Sequence, residues 1–252
     1  MTRLRFFGLS DRGHVRACNE DHWFASIEEA AVSQSGLFIV SDGMSARPAG
    51  TLASQLVVEV LPRLLKKRMR DIEPEQEAEI AKQTRKSLID LSRHVHEKSS
   101  KHQDLTGMGA TIVMVIIYEH RALIAHLGDS RLYLLREEQL HLLTHDHSML
   151  QYLKDADELQ TDELNQHPAR HQITQYIGMP EEVIPELSWL NLQAGDRLLL
   201  CSDGLHQMID DRQIQQDLQG SINSQLACEN LVKAALDAGG KDNVTVVVAE
   251  CD

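Results

Sequence analysis

Five short acidic segments, spread over more than two hundred residues, constrain this chain more than any other feature. Each of them ends or interrupts an apolar, strand-like run. They are Cys18-Asn19-Glu20-Asp21, Val40-Ser41-Asp42-Gly43, Leu127-Gly128-Asp129-Ser130-Arg131, Cys201-Ser202-Asp203-Gly204 and Lys241-Asp242-Asn243. A carboxylate at the end of a buried strand is costly to desolvate unless a cation or a paired base compensates it. The repetition therefore predicts one shared site that holds hard divalent metal ions.

Each segment also has an ordinary structural explanation. Asp-Gly and Gly-Asp pairs are common in turns, because glycine adopts positive φ and aspartate bonds its own backbone. Taken singly, Asp42-Gly43, Gly128-Asp129 or Asp203-Gly204 is better explained as a turn. Taken together, four of the five segments adjoin strongly apolar strands, and two are near duplicates of Ser-Asp-Gly. Aspartates without paired histidines or cysteines favour Mg²⁺ or Mn²⁺ over zinc, and two such ions about 3.5–4 Å apart activate water near neutral pH.

The composition predicts a soluble protein of the reduced cytoplasm. The 252 residues are 42% hydrophobic, which is enough for one large domain, and the net charge of −13 makes nucleic acid an unfavourable partner. The cysteines, at positions 18, 201, 228 and 251, lack the spacing of a disulfide framework. Residues 1–9 lack the apolar stretch of a signal peptide, and the longest apolar run, 112–118, is too short to cross a bilayer.

Strand and helix signals occur in blocks. Strands are predicted at residues 5–9, 23–25, 36–40, 112–118, 122–127, 131–135, 197–201 and 244–249. Helices are predicted after Pro48, over 80–95, shortly after Cys201 and over 224–236. Pro62 should kink or shorten the first helix, and the strands from 112 to 135 should form an antiparallel meander. Residues 148–186 are more polar and are predicted as an irregular insert with a short helix. This order favours an α+β domain.

The acidic segments resemble, in order and spacing, the motifs of the metal-dependent protein Ser/Thr phosphatases of type 2C, the PPM family. The matching segments are Gly13-His14-Val15-Arg16, Asn19-Glu20-Asp21, Ser41-Asp42-Gly43-Met44, and residues 107–111, 128–133, 143–148, 167–170, 173–174, 178, 195–196, 202–205 and 242–245. They extend over essentially the whole chain and resemble the compact bacterial branch. The resemblance implies one domain over 1–252, a four-layer α-β-β-α sandwich of two antiparallel sheets flanked by helices, with 148–186 as a flap-like insert.

The resemblance also implies metal ligands. The implied set is Glu20, Asp21, Asp42, Gly43, Asp129, Asp203 and Asp242. Asp42 would bridge two Mn²⁺ or Mg²⁺ ions, with the Gly43 carbonyl on the second ion. Asp203 and Asp242 would complete the first ion. Asp21 would be the closer partner of the N-terminal acidic pair, with Glu20 acting through water, and Asp129 matches the position associated with a weaker third ion.

Arg16 matches the family's arginine that grips the substrate phosphate, for which a planar guanidinium is suited. A surface ion pair with Glu20, four residues on, is the alternative. The implied reaction is direct hydrolysis of phosphoserine or phosphothreonine by a water activated by the two metals, with Arg16, Asp42 and Asp203 as catalytic residues and no side-chain nucleophile. The implied partners are phosphorylated proteins and a bacterial Ser/Thr kinase whose action the enzyme opposes. The chain is expected to be a monomer.

The chain departs from the family pattern after Met44. Bacterial members follow Asp-Gly-Met with two glycines and a histidine, a candidate proton donor, whereas this chain has Ser45-Ala46-Arg47. An arginine stays protonated and is a poor general acid. One alternative is therefore a catalytically weakened sensor or interaction module of the same fold. Another is an unrelated Mg²⁺-dependent hydrolase of small phosphate esters.

Histidines are dense between residues 141 and 171. They are His141, His145, His147, His167 and His171. A metal site of their own is one hypothesis. Exposed polar side chains, with His147 as a structural part of the Asp-His-Ser segment, are the better explanation from sequence alone.

Overall fold

A computed structural model of the protein describes residues 3–29, 34–44, 49–156, 169 and 172–252. The strand β5 (Ile112–Tyr118) shows how its layers arise. Val113, Val115 and Ile117 face the core between two sheets. Residues of the other parity, among them Met114, face a second core beneath helices. Because successive strand residues point to opposite faces, a strand that is apolar on both parities lies at the centre of a layered sandwich, as predicted.

The two sheets are antiparallel. The first has the order β1-β11-β10-β7-β8 and consists of β1 (Leu4–Asp11), β7 (Arg131–Arg136), β8 (Gln139–Leu142), β10 (Arg197–Cys201) and β11 (Val244–Cys251). The second has the order β2-β3-β5-β6-β9 and consists of β2 (Asp21–Glu29), β3 (Gln34–Met44), β5, β6 (Arg121–Leu127) and β9 (Glu186–Asn191). A two-residue strand, β4 (Gly109–Ala110), pairs with β3.

Helices cover the outer face of each sheet. The long helices α1 (Ala49–Arg68) and α2 (Glu77–Lys101) pack on the second sheet. A short α3 (Met149–Asp155) lies in the insert. The helices α4 (Asp203–His206), α5 (Asp211–Gly220) and α6 (Ser224–Asp237) pack on the first sheet. The predicted four-layer α-β-β-α sandwich is therefore confirmed.

Pro62 does not shorten α1, so that part of the prediction is wrong. The helix continues six residues beyond it to Arg68. An internal proline removes a backbone hydrogen bond and costs about 3 kcal/mol. Leu61 and Leu65, on either side of Pro62, are both buried in the core between α1 and the second sheet. Burial of this face outweighs the local cost.

The predicted meander from 112 to 135 is also wrong in its last strand. β5 and β6 pair as expected, but β7 belongs to the first sheet, where it pairs with β8 and β10. Gly128, at φ 109°, turns the chain out of the second sheet. A Cβ at Gly128 would lie 2.7 Å from Thr111, so both the turn and the close packing require glycine. This crossing places Asp129 where the ends of the two sheets meet.

An isolated bridge joins the insert to the sandwich, where Ile177 pairs with Ala110 of β4. A second bridge, between Ser148 and Ile173, lies within the insert. Several residues singled out in the sequence lie outside the described ranges, namely Arg47 with its neighbours 45, 46 and 48, and His167, Arg170 and His171. In the part of the chain that is described, no helix has the length and apolar character needed to span a membrane.

Candidate metal centre

The predicted aspartates are brought together at one edge of the sandwich. Asp21, at the start of β2, lies directly opposite Asp42 of β3 in the strand register. Asp203 begins α4 immediately after β10, and Asp242 precedes β11. Asp129 follows β6. The charges of Asp21, Asp203, Asp129 and Asp242 all act on Asp42, so the five carboxylates form one cluster although they come from both sheets.

Asn243 connects the segments of this cluster. Its side-chain oxygen accepts a hydrogen bond from the backbone N–H of Glu20 at 2.8 Å. Its side-chain nitrogen donates to the carbonyls of Arg12 and Cys18, at 2.8 and 2.9 Å. The loop before β2 is thereby fixed against the start of β11. Sequence analysis placed Asn243 in a motif without giving it this role.

Hydroxyl groups position the carboxylates on β2 and β3. The Ser202 hydroxyl donates to Asp21 Oδ2 at 2.7 Å. The backbone N–H of Asp42 donates to Thr111 Oγ1 at 3.1 Å, and that hydroxyl also bonds Ser130 at 2.7 Å. These side chains are buried. In the sequence, these three hydroxyl residues stood out only because they belong to the recognised motifs; no periodicity marked them.

Two glycines allow the segments to approach closely. A Cβ at Gly204 would lie 1.9 Å from the Asn243 carbonyl oxygen. A Cβ at Gly43 would lie 2.4 Å from the Gly50 carbonyl oxygen and 2.7 Å from that of Glu20. Real Cβ atoms do not come this near to backbone, so a side chain at either position would push the acidic segments apart.

The metal-free cluster is electrostatically unfavourable. Burial, followed by repulsion from neighbouring carboxylates, raises the pKa of Asp42 and Asp203 well above the ordinary value. Burial raises the pKa of Asp21 to about 6, against hydrogen bonds that lower it. Burial and the charge of Asp146 raise the pKa of Asp129 to about 6. Such a group of carboxylates is costly without a compensating cation.

Unsatisfied oxygens show what the cluster is suited to bind. In the described residues, six buried side-chain atoms lack a hydrogen-bond partner. Four of them belong to predicted site residues: Glu20 Oε1, Asp21 Oδ1, Asp129 Oδ1 and Asp203 Oδ1. Buried polar atoms are rarely left without a partner in native proteins. Carboxylate oxygens are the ligands that Mg²⁺ and Mn²⁺ prefer, so the donor set fits hard divalent cations.

The carboxylate oxygens of this cluster are spread apart. No three acidic side chains of this cluster offer oxygens that all lie within 4.8 Å of one another, among the residues that the structure describes. A single ion would not be held by three of these carboxylates as they stand.

Arg16 lies at the mouth of the cluster. Its Nη2 contacts Asp242 Oδ2 at 2.5 Å, and half of its side chain is exposed. The hydrogen bond with Asp242 raises the pKa of Arg16, with further support from the charges of Asp42 and Asp203. The alternative ion pair with Glu20 is therefore not the one that forms. Arg16 carries a permanent positive charge beside the acidic cluster.

His206 was not predicted as part of the site. It is on α4, three residues after Asp203, and its Nε2 donates to the Asp129 carbonyl at 3.0 Å. Burial and the charge of Arg131 lower the pKa of His206 to about 4. The ring is therefore neutral near pH 7. It joins the helix that carries Asp203 to the turn that carries Asp129.

The chain matches the family described as protein phosphatase 2C over residues 11–238. This match covers most of the chain, and the chain belongs to that family of metal-dependent phosphatases. The sandwich of two antiparallel sheets and the acidic cluster at its edge are the structural features that correspond to this family match.

Named relatives support the assignment. The Ser/Thr protein phosphatase PstP of Mycobacterium tuberculosis is 37% identical over 249 residues, a match that covers 98% of this chain and 45% of PstP. The chain thus spans less than half the length of that relative. Protein phosphatase PhpP of Streptococcus pneumoniae is 33% identical over 240 residues, which cover 95% of this chain and 94% of PhpP. A crystal structure of the catalytic domain of PstP with two manganese ions matches with a TM-score of 0.79 and 35% identity, over 100% of this chain and 99% of that one.

Proposed function

We propose that this chain is a Mn²⁺- or Mg²⁺-dependent protein phosphatase that hydrolyses phosphoserine and phosphothreonine. The observation that carries the proposal is the convergence of five aspartates at one edge, with three of their buried oxygens left without a protein partner, beside the exposed Arg16. Membership of the phosphatase 2C family and the two manganese ions of the PstP catalytic domain support it.

The carboxylates would hold the cations. Asp42, Asp203, Asp242 and the Gly43 carbonyl would hold two ions, with Asp42 as the ligand that both would share. Asp21 and Glu20 complete the surroundings, and Asp129 is available for a weaker third ion. When bound, two such ions neutralise phosphate charge and lower the pKa of a bound water, which makes it a nucleophile near neutral pH.

Arg16 would bind the substrate phosphate. Its guanidinium can donate two parallel hydrogen bonds to phosphate oxygens. In the structure the same group is paired with Asp242. Because its side chain is half exposed, it can reach a phosphate at the mouth of the cluster without the cost of leaving a buried position. Ser202, Thr111 and Asn243 hold the acidic segments in place through their hydrogen bonds.

The weakened-sensor alternative rests on Arg47, which lies outside the described residues. Every acidic position of the family pattern is present, and the aspartates meet in one cluster. A non-catalytic interaction module has no need to maintain so costly a group of carboxylates. The catalytic function is therefore the better supported of the two.

Further properties belong to the same proposal. We infer that residues 1–252 form a single phosphatase domain with 148–186 as a flap that contributes to substrate choice, because both sheets share one core between them. The substrates would be phosphoproteins of a bacterial Ser/Thr kinase system. The protein would act as a monomer in the cytoplasm.

Turnover on different phosphate esters tests this function. The purified protein with Mn²⁺ is expected to hydrolyse a phosphothreonine peptide, and to lose this activity on chelation. Nucleotides and sugar phosphates, assayed in parallel, should be poorer substrates. Preference for the small esters would instead support the unrelated hydrolase, and tight Mn²⁺ binding without any turnover would support the non-catalytic alternative.

A further inference from the structure

A second group of potential metal ligands lies outside the acidic centre. It consists of His126 near the end of β6, His147 before the insert and Glu186 at the start of β9, and we call it the imidazole cluster. The three side chains offer ligand atoms that all lie within 4.8 Å of one another. No other three His, Cys, Asp or Glu side chains in the described ranges meet that condition.

The distances in the imidazole cluster approach those of a tetrahedral site. Glu186 Oε2 is 3.8 Å from His126 Nε2 and 3.6 Å from His147 Nε2. The two rings are stacked, with centroids 4.6 Å apart and planes inclined by 12°. Zinc bonds of about 2.0–2.1 Å in a tetrahedron place neighbouring ligand atoms about 3.3 Å apart. A contraction of a few tenths of an ångström would bring Glu186 to that distance from both rings.

The chemistry of the imidazole cluster differs from that of the acidic centre. Two imidazoles and one carboxylate are typical of zinc-type sites, whereas Mg²⁺ prefers oxygen ligands alone. Burial lowers the pKa of both His126 and His147, that of His147 to about 4. The rings are therefore neutral near pH 7, the state in which imidazole binds a metal. Half of the Glu186 side chain is exposed, which leaves the cluster open to solvent for metal access and for a water as fourth ligand.

Coordination would replace two existing hydrogen bonds and would turn one ring out of the stack, because an imidazole lone pair lies in its ring plane and two nearly parallel stacked rings do not direct both nitrogens at one ion. His126 Nε2 donates to the His145 carbonyl at 2.8 Å, so binding through Nε2 requires the ring proton to move to Nδ1. The Gly128 N–H donates to His147 Nδ1 at 3.3 Å, beyond the usual N–H···O range, so that its loss costs little. His145 is itself exposed, and water can satisfy its carbonyl. Formation of metal–ligand bonds readily exceeds these costs.

We propose that His126, His147 and Glu186 form a binding site for a zinc-type transition-metal ion, separate from the acidic centre. His147 directly precedes the insert 148–186, and Glu186 is its last residue. A metal at this position would join the two ends of the insert to each other and to β6 through His126. His126 lies three residues before Asp129, so the site would fix the base of the insert close to the turn that carries Asp129.

The simpler explanation is that the imidazole cluster is a packed histidine pair without a metal. The packed pair accounts for the stacking as it stands, whereas the metal site requires one ring to turn; both explanations account for the burial of His126. Only the metal site requires all three side chains to contribute to ion binding, and only the metal site predicts a tetrahedral ligand field. These two differences determine the experiment.

The test is a titration of the full chain with Co²⁺ and then Zn²⁺ in a large excess of Mg²⁺, which occupies oxygen-only ligands. The wild type is expected to develop the strong visible absorption of tetrahedral Co²⁺, and Zn²⁺ should displace the Co²⁺ with one ion per chain. Loss of a mere hydrogen-bonding partner of a metal-bound histidine weakens binding about 10–100-fold. Removal of a ligand in Glu186→Gln or His126→Asn should weaken it at least as much.

His141→Gln is the matched control, because His141 is an exposed histidine on β8, outside the imidazole cluster. It should bind Co²⁺ as the wild type does. The proposal is overturned if the wild type gives no tetrahedral spectrum, or if Glu186→Gln binds Zn²⁺ with wild-type affinity. Should His126→Asn fail to fold, the half-exposed Glu186 still decides the outcome. This result does not depend on the proposed phosphatase function. A protein without Mn²⁺-dependent turnover at the acidic centre should still bind Co²⁺ and Zn²⁺ at the imidazole cluster.

Discussion

The two ends of strand β10 carry aspartates with opposite surroundings. Asp196, before the strand, is almost fully buried, and both of its oxygens are bonded: Arg136 donates to them at 2.8 and 2.6 Å, and the Gln193 N–H donates at 2.8 Å. Asp203, after the strand, lies among other carboxylates with Oδ1 unsatisfied. An arginine completes the first residue within the protein. The Oδ1 atom of Asp203 has no such partner within the protein and would obtain one only from a bound ligand.

This difference separates a structural carboxylate from one suited to a ligand. A paired buried charge contributes to folding, and its removal leaves the partner unpaired. A cluster of unpaired carboxylates destabilises the fold when no cation compensates the charges. Asp-Gly and Gly-Asp pairs in a sequence do not distinguish the two cases, since Gly195-Asp196 and Asp203-Gly204 look alike.

The largest expected effect is on activity at the acidic end. Asp203→Ala should remain folded, because the substitution removes one of several mutually repelling charges. It should lose metal-dependent turnover by about 10³-fold, since metal ions contribute several kcal/mol of transition-state stabilisation. The measurement is hydrolysis of a phosphothreonine peptide over a Mn²⁺ titration, with circular dichroism to confirm folding. A variant as active as the wild type would contradict the site assignment.

The reverse result is expected at the other end of β10. Asp196→Ala leaves Arg136 with the Asn191 carbonyl alone and should lower the free energy of unfolding by about 3 kcal/mol, the lower end of the range for a broken buried ion pair. Chemical denaturation measures this change. At a temperature where the variant is folded, its Mn²⁺-dependent turnover should equal that of the wild type. A loss of Mn²⁺ affinity here would break the distinction between the two ends.

The pH dependence of stability sharpens the comparison in the metal-free protein. Asp21 and Asp129 have a pKa of about 6 in the folded state, above the ordinary 3.8. The folded state therefore binds more protons between these values, so their contribution is fully present below about pH 4 and is lost as pH rises through about 6. With a chelator present, this contribution should fall between pH 4 and pH 7 by about 2 kcal/mol for each of the two carboxyl groups.

Urea denaturation at several pH values, compared between the wild type and Asp129→Asn, isolates this effect from carboxylates elsewhere. The variant should show a shallower decline. Saturating Mn²⁺ should remove the decline in the wild type, because the ions compensate the charges. If the free energy of unfolding falls equally steeply with pH in both proteins in the presence of chelator, the carboxylates of the acidic cluster do not repel one another as described.

The smallest expected effect concerns phosphate binding at the mouth of the acidic centre. Arg16→Lys retains the charge but loses the planar pair of donors, and kcat/KM for a phosphopeptide should fall about tenfold. Arg12→Lys is the control, because Arg12 is an exposed arginine in the same loop. Steady-state kinetics of both variants provides the measurement. Equal values for the two would remove Arg16 from substrate binding.

Much of the fold could be predicted from local pattern. The double-sided apolar run at β5 and the helical periodicity of α1 and α2 follow from strong, local burial signals. The edge strands β8 and β9 were missed because exposed, polar positions interrupt their alternation. Helix α5 was missed because only two of its residues, Ile214 and Leu218, are buried, although Asp210 caps its first turn.

The site was predicted unevenly for the same reason. The aspartates at strand ends were visible because their motifs are local. The bonds of Asn243, the bond of His206 to the Asp129 carbonyl and the meeting of His126 with Glu186 join residues far apart in the chain. No spacing along the sequence encodes such contacts.

The amino-acid sequence by itself determined which segments are strands buried on both faces, and which carboxylates end them, because burial and period are properties of short segments. Tertiary structure alone decided that β7 leaves the meander for the other sheet, that Asp196 obtains an arginine while Asp203 does not, and that two histidines stack beside Glu186. These outcomes depend on which elements pack together, and packing energy is shared among residues that the chain order keeps apart.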